Sequence, residues 1–461
     1  MKPLLARVME RGLGRNAALA MMQALVVMVC VFLSYRVLIA QEGIAALGLW
    51  SLLMIFAGVA GTFDISGVSA LARFVARHDV EFPQLERAEL LHTVLLTGMA
   101  INSVILAALL LIAPWALPLL VGPHELGEAR TLVFWVSALM LVNPLALGIT
   151  TSIDGLMRAD VRAILVSAAA VAGLIVSWLA IPRLGIAGLP LGLLVQQGIV
   201  IAGGWVILRR TIAGLGWLPW RWEATIFRAT TSYALRLNLV GALGLLLEPL
   251  ARYCINSAGG TSAVGLYELA ARLAVQLRSL VISATMPLIP VFAASAEATS
   301  PVSIAMLNRA QRLISLAALA VALLSGSGAP LLSLVILGDV SAELLAMNAL
   351  LALGWSMNVL GVVWYLLAQA QGVLRWNILA HAAIGASILA VALLVGDAPA
   401  LTIVAGVAAG LTISAAITII GNSRHFALGE ALRGQARGLG LAVLLIVGAC
   451  AATFAVAARL G

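Results

Sequence analysis

Apolar runs of about 20 residues recur along the whole chain, each closed by a short stretch of arginine, acid, Gly or Pro. A helix rising about 1.5 Å per residue needs that length to cross a hydrocarbon core of roughly 30 Å. The pattern predicts spanning helices near residues 16–36, 44–66, 90–112, 131–152, 162–181 and 186–208. A second series follows near 230–252, 263–290, 312–337, 345–369, 376–395 and 399–421, with a last helix near 439–458. Helices satisfy their own backbone hydrogen bonds in lipid, and the runs are too long for barrel strands. The expected class is all-α: a polytopic membrane protein of about 12–13 transmembrane helices.

The pattern is written twice, at an offset of about 217 residues. Gly43 to Leu52 returns as Gly260 to Leu269, and Ala113-Pro114 followed by Gly122 returns as Ala329-Pro330 followed by Gly338. Gly155-Leu156-Met157-Arg158 returns as Gly372-Val373-Leu374-Arg375, and Pro182, Leu184 and Ile186 return as Pro399, Leu401 and Ile403. An even number of predicted crossings separates each block from its copy, so both copies point the same way. Two parallel six-helix repeats follow, related by a pseudo-two-fold axis along the membrane normal. The expected domains are an N-terminal lobe over 1–215, a C-terminal lobe over 216–422, and an inner-face segment with an extra helix over 423–461.

Composition removes most other classes. Charged residues are 10% of the chain and hydrophobic ones 63%, against roughly a quarter charged in soluble domains. With the N-terminus inside, the outer segments carry only Arg36, Arg130, Arg183, Arg252 and Arg459, while Lys2 and most other arginines fall on the inner side. That is a positive-inside bias, so the net charge of +8 serves topology and anionic headgroups. Nucleic-acid binding is a poor account of it. Lys2 is the only lysine, which excludes a P-loop ATPase module. Cys30, Cys254 and Cys450 are isolated and no His-x-x-x-His pair occurs, so no metal or other cofactor is expected. The loops are too short for a soluble catalytic domain, and an enzyme is not expected. Trp217, Trp220 and Trp222 sit in the link between halves, where Trp anchors to the interface.

Charges within apolar runs are the candidates for chemistry, since burying one costs on the order of 3 kcal/mol. Glu248 with Arg252, and Glu268 with Arg272, are spaced four apart with the acid first, the favourable helical order. Two explanations stand: self-neutralising pairs near the outer mouth, or secondary binding groups. Arg236 and Arg278 have no acid three or four residues away, so they are the candidate substrate-binding groups, with snorkelling or a distant acid as the competing account. Guanidinium forks suit phosphate oxygens. Asp64, shifted by the repeat, falls level with position 281, one turn from Arg278, as a possible coupling or gating group.

Several stretches carry a resemblance: Tyr35 to Leu38, Gly43 to Trp50, Phe63 to Val68 and Ala72 to Ala76 in the first half, Gly260 to Tyr267 and Met286 to Phe292 in the second. They resemble the O-antigen-type polysaccharide flippases of the multidrug/oligosaccharidyl-lipid/polysaccharide exporter superfamily, over essentially residues 10–421. The sequence departs from that pattern at Arg36 to Ala40, which lacks the usual Leu-Gly, and in its unpaired last helix. The resemblance implies two six-helix lobes around a central cleft in the bacterial inner membrane. Its implied cargo is an undecaprenyl-pyrophosphate-linked oligosaccharide, moved from the cytoplasmic to the outer leaflet by alternating access. Membrane lipids and other polysaccharide-assembly proteins are the implied partners. Coupling would come from an H+ or Na+ gradient or from substrate supply and removal.

An ion-coupled multidrug extruder of the same superfamily is the alternative, and it would favour unpaired acids over unpaired arginines. A membrane glycosyltransferase or O-antigen polymerase would need a large outer loop with acidic or arginine-rich residues. A major-facilitator carrier would show Gly-x-x-x-Asp-Arg after its second helix, which is missing here. Arg424, Arg433 and Arg437 mark the start of the last helix as inner, so the C-terminus is expected outside. A tag placed after Gly461 should react with an impermeant reagent added to intact cells; labelling only after lysis would overturn this topology.

Overall fold

The computed structural model describes residues 2–62, 67–68, 70–76, 78–245, 247–285, 288, 292, 299, 301–394 and 399–460, with side chains outside 2–18, 56–62, 80, 236–245 and 301–302. Asp64 and the side chain of Arg236 therefore lie outside the described residues. Every long element among the described residues is an α-helix. The first series comprises α1 (Lys2–Glu42), α2 (Ile44–Thr62), α3 (Leu71–Ala76), α4 (His78–Glu81), α5 (Arg87–Leu120), α6 (Leu126–Gly155), α7 (Ala159–Leu184) and α8 (Gly188–Thr211). The second comprises α9 (Ala224–Leu245), α10 (Leu247–Thr285), α11 (Pro301–Leu337), α12 (Ala342–Leu360), α13 (Val362–Ala370), α14 (Arg375–Leu394), α15 (Ala400–His425) and α16 (Gly429–Leu460).

Nine helical stretches among the described residues are long and apolar enough to cross a membrane. One of them, Ala159–Thr211, contains both α7 and α8, which pack along each other across a short 3-10 turn. Leu111, Leu119, Leu393 and Leu444 stay exposed on these helices, as lipid-facing side chains should. The chain is a multi-pass membrane protein.

Two helix ends differ from the sequence expectation for one reason. The apolar runs suggest ends near residues 36 and 252, yet helix continues through Glu42 and through residue 259. The chain turns only at Gly43 (φ 81°) and Gly260 (φ 71°). Polar residues can extend a helix past the hydrocarbon, whereas a left-handed residue ends it, and Gly takes that conformation without steric cost. These two glycines are repeat equivalents.

By contacts the chain forms two compact units. The first holds residues 1–43 and 53–242; the second holds 44–52 and 243–461. Within the first, Leu71, Phe74, Leu91, Val94, Ile149, Ile153 and Leu208 form the core where α3, α5, α6 and α8 meet. The link after α8 is strapped to this unit. Arg221 pairs with Glu86 at 2.8 Å, Trp222 Nε1 donates to Thr97 Oγ1 at 3.2 Å, and the Glu223 amide donates to Thr93 Oγ1 at 3.0 Å. Arg209 lies 3.7 Å from the Trp217 ring centroid. These bonds explain why the first unit extends to residue 242, beyond the boundary at 215 suggested by hydropathy.

The second unit contains the contact that the repeat implies. A methyl group on Gly48 would overlap the Thr261 carbonyl, and one on Gly265 would overlap the Ile44 carbonyl. Gly48 and Gly265 are repeat equivalents, as are Ile44 and Thr261, so the contact is reciprocal: each element gives the other the same surface. This is how two copies meet across a two-fold axis. The bond from Ser51 to Glu268 joins a third equivalent pair, 217 residues apart. The two glycine contacts cross, 48 to 261 and 44 to 265, and the third, 51 to 268, lies further along both segments, as parallel helices require.

One expected equivalence shifts. Both α6 and α13 end on a left-handed residue, Met157 (φ 60°) in the first half and Gly372 (φ 73°) in the second. The closing bonds match, Arg158 to Ile153 and Val373 to Ala368, so Arg158 corresponds to Val373 and not to Arg375. Gly155 does a different job: a Cβ there would meet Ala72 and Val75 of α3.

Gly48→Ala should destabilise the protein by about 1–3 kcal/mol, the usual cost of overpacking. Gly198→Ala, where nothing lies within 4 Å of an added Cβ, should be neutral or stabilising by up to about 1 kcal/mol. Thermal unfolding in detergent measures both. Equal tolerance of the two substitutions would contradict the close approach.

Candidate functional site

The second unit carries two groups of charge on α10, about ten residues and so roughly 15 Å of helix apart. The first centres on Glu268, whose side chain is only 4% exposed. Its Oε2 accepts from Ser51 Oγ at 2.8 Å and from Arg252 at 3.0 Å. Its Oε1 accepts from Arg272 through Nη2 and, at 3.2 Å, through Nε. Arg252 also reaches Glu248 at 3.2 Å. The sequence suggested two separate pairs; the structure joins them into one network. Gly260 makes this possible, because the break there brings Arg252, on the preceding segment, against Glu268 on the following one. A carboxylate withdrawn from water is tolerable when several donors satisfy it, and this one has three side-chain partners.

The second group centres on Arg278. No acid pairs with it among the described residues. Its Nε donates to Asn358 Oδ1 at 3.3 Å, and its guanidinium lies 4.7 Å from the Trp355 ring centroid. Tyr365 and His381 stand within electrostatic reach, their rings 5.9 Å apart. The terminal Nη groups make no hydrogen bond among the described residues, which leaves the two-pronged end of the fork free.

The helix behind Arg278 is interrupted. Hydropathy suggests one span over 345–369, but α12 stops at Leu360 and α13 resumes at Val362, with Gly361 between. Side-chain amides from three other helices bind carbonyls at the break. Gln311 Nε2 donates to Leu360 O at 3.0 Å, Asn377 Nδ2 to Tyr365 O at 3.1 Å, and Asn422 Nδ2 to Trp364 O at 3.5 Å. Asn422 also donates to Asn377 Oδ1 at 3.2 Å. Gln311, Asn377 and Asn422 are all buried. These amide-to-carbonyl bonds tie α13 to its neighbours, with Gln311 Oε1 and Asn422 Oδ1 left without a partner among the described residues, and they position Tyr365 beside the guanidinium.

Of the residues singled out from sequence, Glu248, Arg252, Glu268 and Arg272 come together, and Arg278 stands apart from them without an acid. Sequence reasoning passed over Asn358, Gln311, Asn377 and Asn422. The available signal was an uncharged amide inside or at the edge of an apolar run, which a search for charges misses.

No family model and no curated protein matches the sequence. Solved structures do match its fold. The lipid II flippase MurJ, in an inward closed conformation, superposes with a TM-score of 0.66 at 11% identity, over 96% of this chain and 98% of that one. The Vibrio cholerae MATE transporter VcmN gives 0.65 at 16% identity, over 92% and 97%. A MOP superfamily transporter from Pyrococcus furiosus, whose reversed pocket polarity suggests a different function, gives 0.62 at 16% identity, over 90% and 95%. The architecture of this chain is thus the one shared by MATE transporters and MurJ.

Glu268→Gln should take the carboxylate from Arg272, leave Arg252 with Glu248, and lower stability by about 3 kcal/mol. Ser51→Ala, which removes one neutral donor, should cost about 1 kcal/mol. Melting in detergent compares them, and a fully stable but transport-dead Glu268→Gln protein would show that the network serves function rather than folding.

Proposed function

We propose that this chain, which has the fold of MATE transporters and of the lipid II flippase, is itself a flippase for an undecaprenyl-pyrophosphate-linked oligosaccharide. The cargo passes from the cytoplasmic to the outer leaflet of the bacterial inner membrane by alternating access, with the N-terminus cytoplasmic as the arginine distribution supports. The observation that carries the assignment is Arg278: a guanidinium without an acid partner among the described residues, on α10, with its fork free and its base held by Asn358 and Trp355. A diphosphate supplies the two adjacent anionic oxygens that such a fork binds. The lipid tail stays in the bilayer, and Tyr365 and His381 offer polar groups beside the bound anion. That a lipid II flippase has this fold supports the capacity of the architecture for lipid-linked cargo. Arg236, the expected second phosphate ligand, remains a candidate on its sequence position alone.

Movement is coupled to an H+ or Na+ gradient or to substrate supply and removal. The competing reading is an ion-coupled extruder of cationic drugs, which needs an available acid within the membrane. Glu268 is a poor candidate, because two arginines and a serine already occupy its carboxylate.

Arg278→Ala should remove a charge-assisted contact of roughly 1.5–3 kcal/mol and weaken cargo affinity about ten- to a hundredfold. Arg278→Lys should recover only part, since an ammonium keeps the charge and loses the fork. The readout is complementation of cells lacking their own flippase, normalised to protein in the membrane. Full activity of Arg278→Ala would refute the site.

A further inference from the structure

A groove lies between α11 and α16 in the second unit, and Gln311, whose amide nitrogen binds the Leu360 carbonyl, also lines it. The two helices meet where a Cβ on Gly326 would touch Thr453 Oγ1, and again near their N-terminal ends, where Gln435 Nε2 donates to Asn308 Oδ1. Toward their N-terminal ends they enclose a cavity of about 510 Å³. Its wall near those ends is polar: Asn308, Gln311 and Arg312 from α11, and Gln435 from α16. Further along it is apolar, with Leu316, Leu319, Leu441 and Leu445. Gly434 and Gly438 keep it open, since nothing lies within 4 Å of a Cβ built on either.

The polar end is held together by side-chain amides. Gln311 is 2% exposed and Gln435 is 9% exposed. Each uses its amide nitrogen within the protein, Gln311 to Leu360 O at 3.0 Å and Gln435 to Asn308 Oδ1 at 2.6 Å. Each leaves a buried Oε1 with no hydrogen-bond partner. Both oxygens are sealed from the groove, so the demand its wall makes on a ligand is that of Arg312. Arg312 lines the same groove, forms no salt bridge among the described residues, and calls for an anion. Arg309, Arg433 and Arg437 lie close by in sequence, so the surrounding field favours negative charge and opposes an ammonium.

We propose that this groove is a binding site for an anionic glycerophospholipid such as phosphatidylglycerol. The phosphate meets Arg312, and one acyl chain lies along the leucines. On the orientation proposed above, the lipid comes from the cytoplasmic leaflet.

The test is native mass spectrometry of the detergent-purified protein titrated with phosphatidylglycerol or phosphatidylcholine of matched chains. The wild type should retain one phosphatidylglycerol at least tenfold more tightly than phosphatidylcholine. Gly438→Leu fills the groove without touching the headgroup ligand, and Arg312→Ala removes the anion contact while leaving the groove open. Each should abolish the preference, with the melting temperature of both variants confirming that they fold. Equal retention of the two lipids by the wild type, or an unchanged preference in Gly438→Leu, would overturn the proposal. So would displacement of phosphatidylglycerol from the wild type by undecaprenyl pyrophosphate, which would assign the groove to cargo.

Discussion

One buried carboxylate organises the second unit. Glu268 sits among apolar helices where an ionised group is costly, and it is stable there because Arg252, Arg272 and Ser51 satisfy it together. Each partner comes from a different stretch of chain: before the Gly260 break, after it, and from residues 44–52. The Ser51 bond is the longest-range of these in sequence, and the glycine contacts beside it bring the backbones close enough for it to form. A duplicated sequence makes such a contact economical, because the same small-residue surface serves both partners when two equivalents meet across an axis.

The saturation of Glu268 has a consequence further along α10. With its acid committed to Arg252 and Arg272, the helix presents Arg278 without a countercharge among the described residues. That guanidinium is positioned by neutral groups, Asn358 and Trp355, which hold it without neutralising it. The interrupted α12–α13 helix supplies both, together with Tyr365, and the buried amides of Gln311, Asn377 and Asn422 tie the interruption to neighbouring helices. Irregular backbone in a membrane protein needs such satisfaction, since lipid offers no hydrogen bonds. Charge is thus stabilised at one end of the helix and kept available at the other.

Much of this was legible in the sequence, for definite reasons. Hydropathy located the nine long apolar stretches among the described residues because lipid selects for such runs; the expected spans near 44–66, 230–252 and 263–290 are not among them. The repeat offset paired Gly43 with Gly260, whose left-handed conformations end equivalent helices, and Gly48 with Gly265, which meet. Hydropathy misplaced the helix ends near 36 and 252, because a helix stops at a backbone conformation and not at the edge of the hydrocarbon. Spacing along one helix found Glu248 with Arg252 and Glu268 with Arg272, but it could not foresee that a kink would merge them. The Arg158 to Arg375 match slipped because Gly155 serves packing in the first half while Gly372 serves a turn in the second. The amide network left no mark in a search for charges, although those amides position Tyr365 in the candidate site.

Binding by the purified protein tests the central claim most directly. Undecaprenyl pyrophosphate and a lipophilic organic cation of similar apolar bulk would be titrated in detergent at fixed ionic strength. The account predicts saturable binding of the diphosphate lipid, weakened about ten- to a hundredfold by loss of the Arg278 guanidinium, and no saturable binding of the cation. Saturable cation binding, released on acidification and indifferent to Arg278, together with no affinity for the diphosphate, would contradict it.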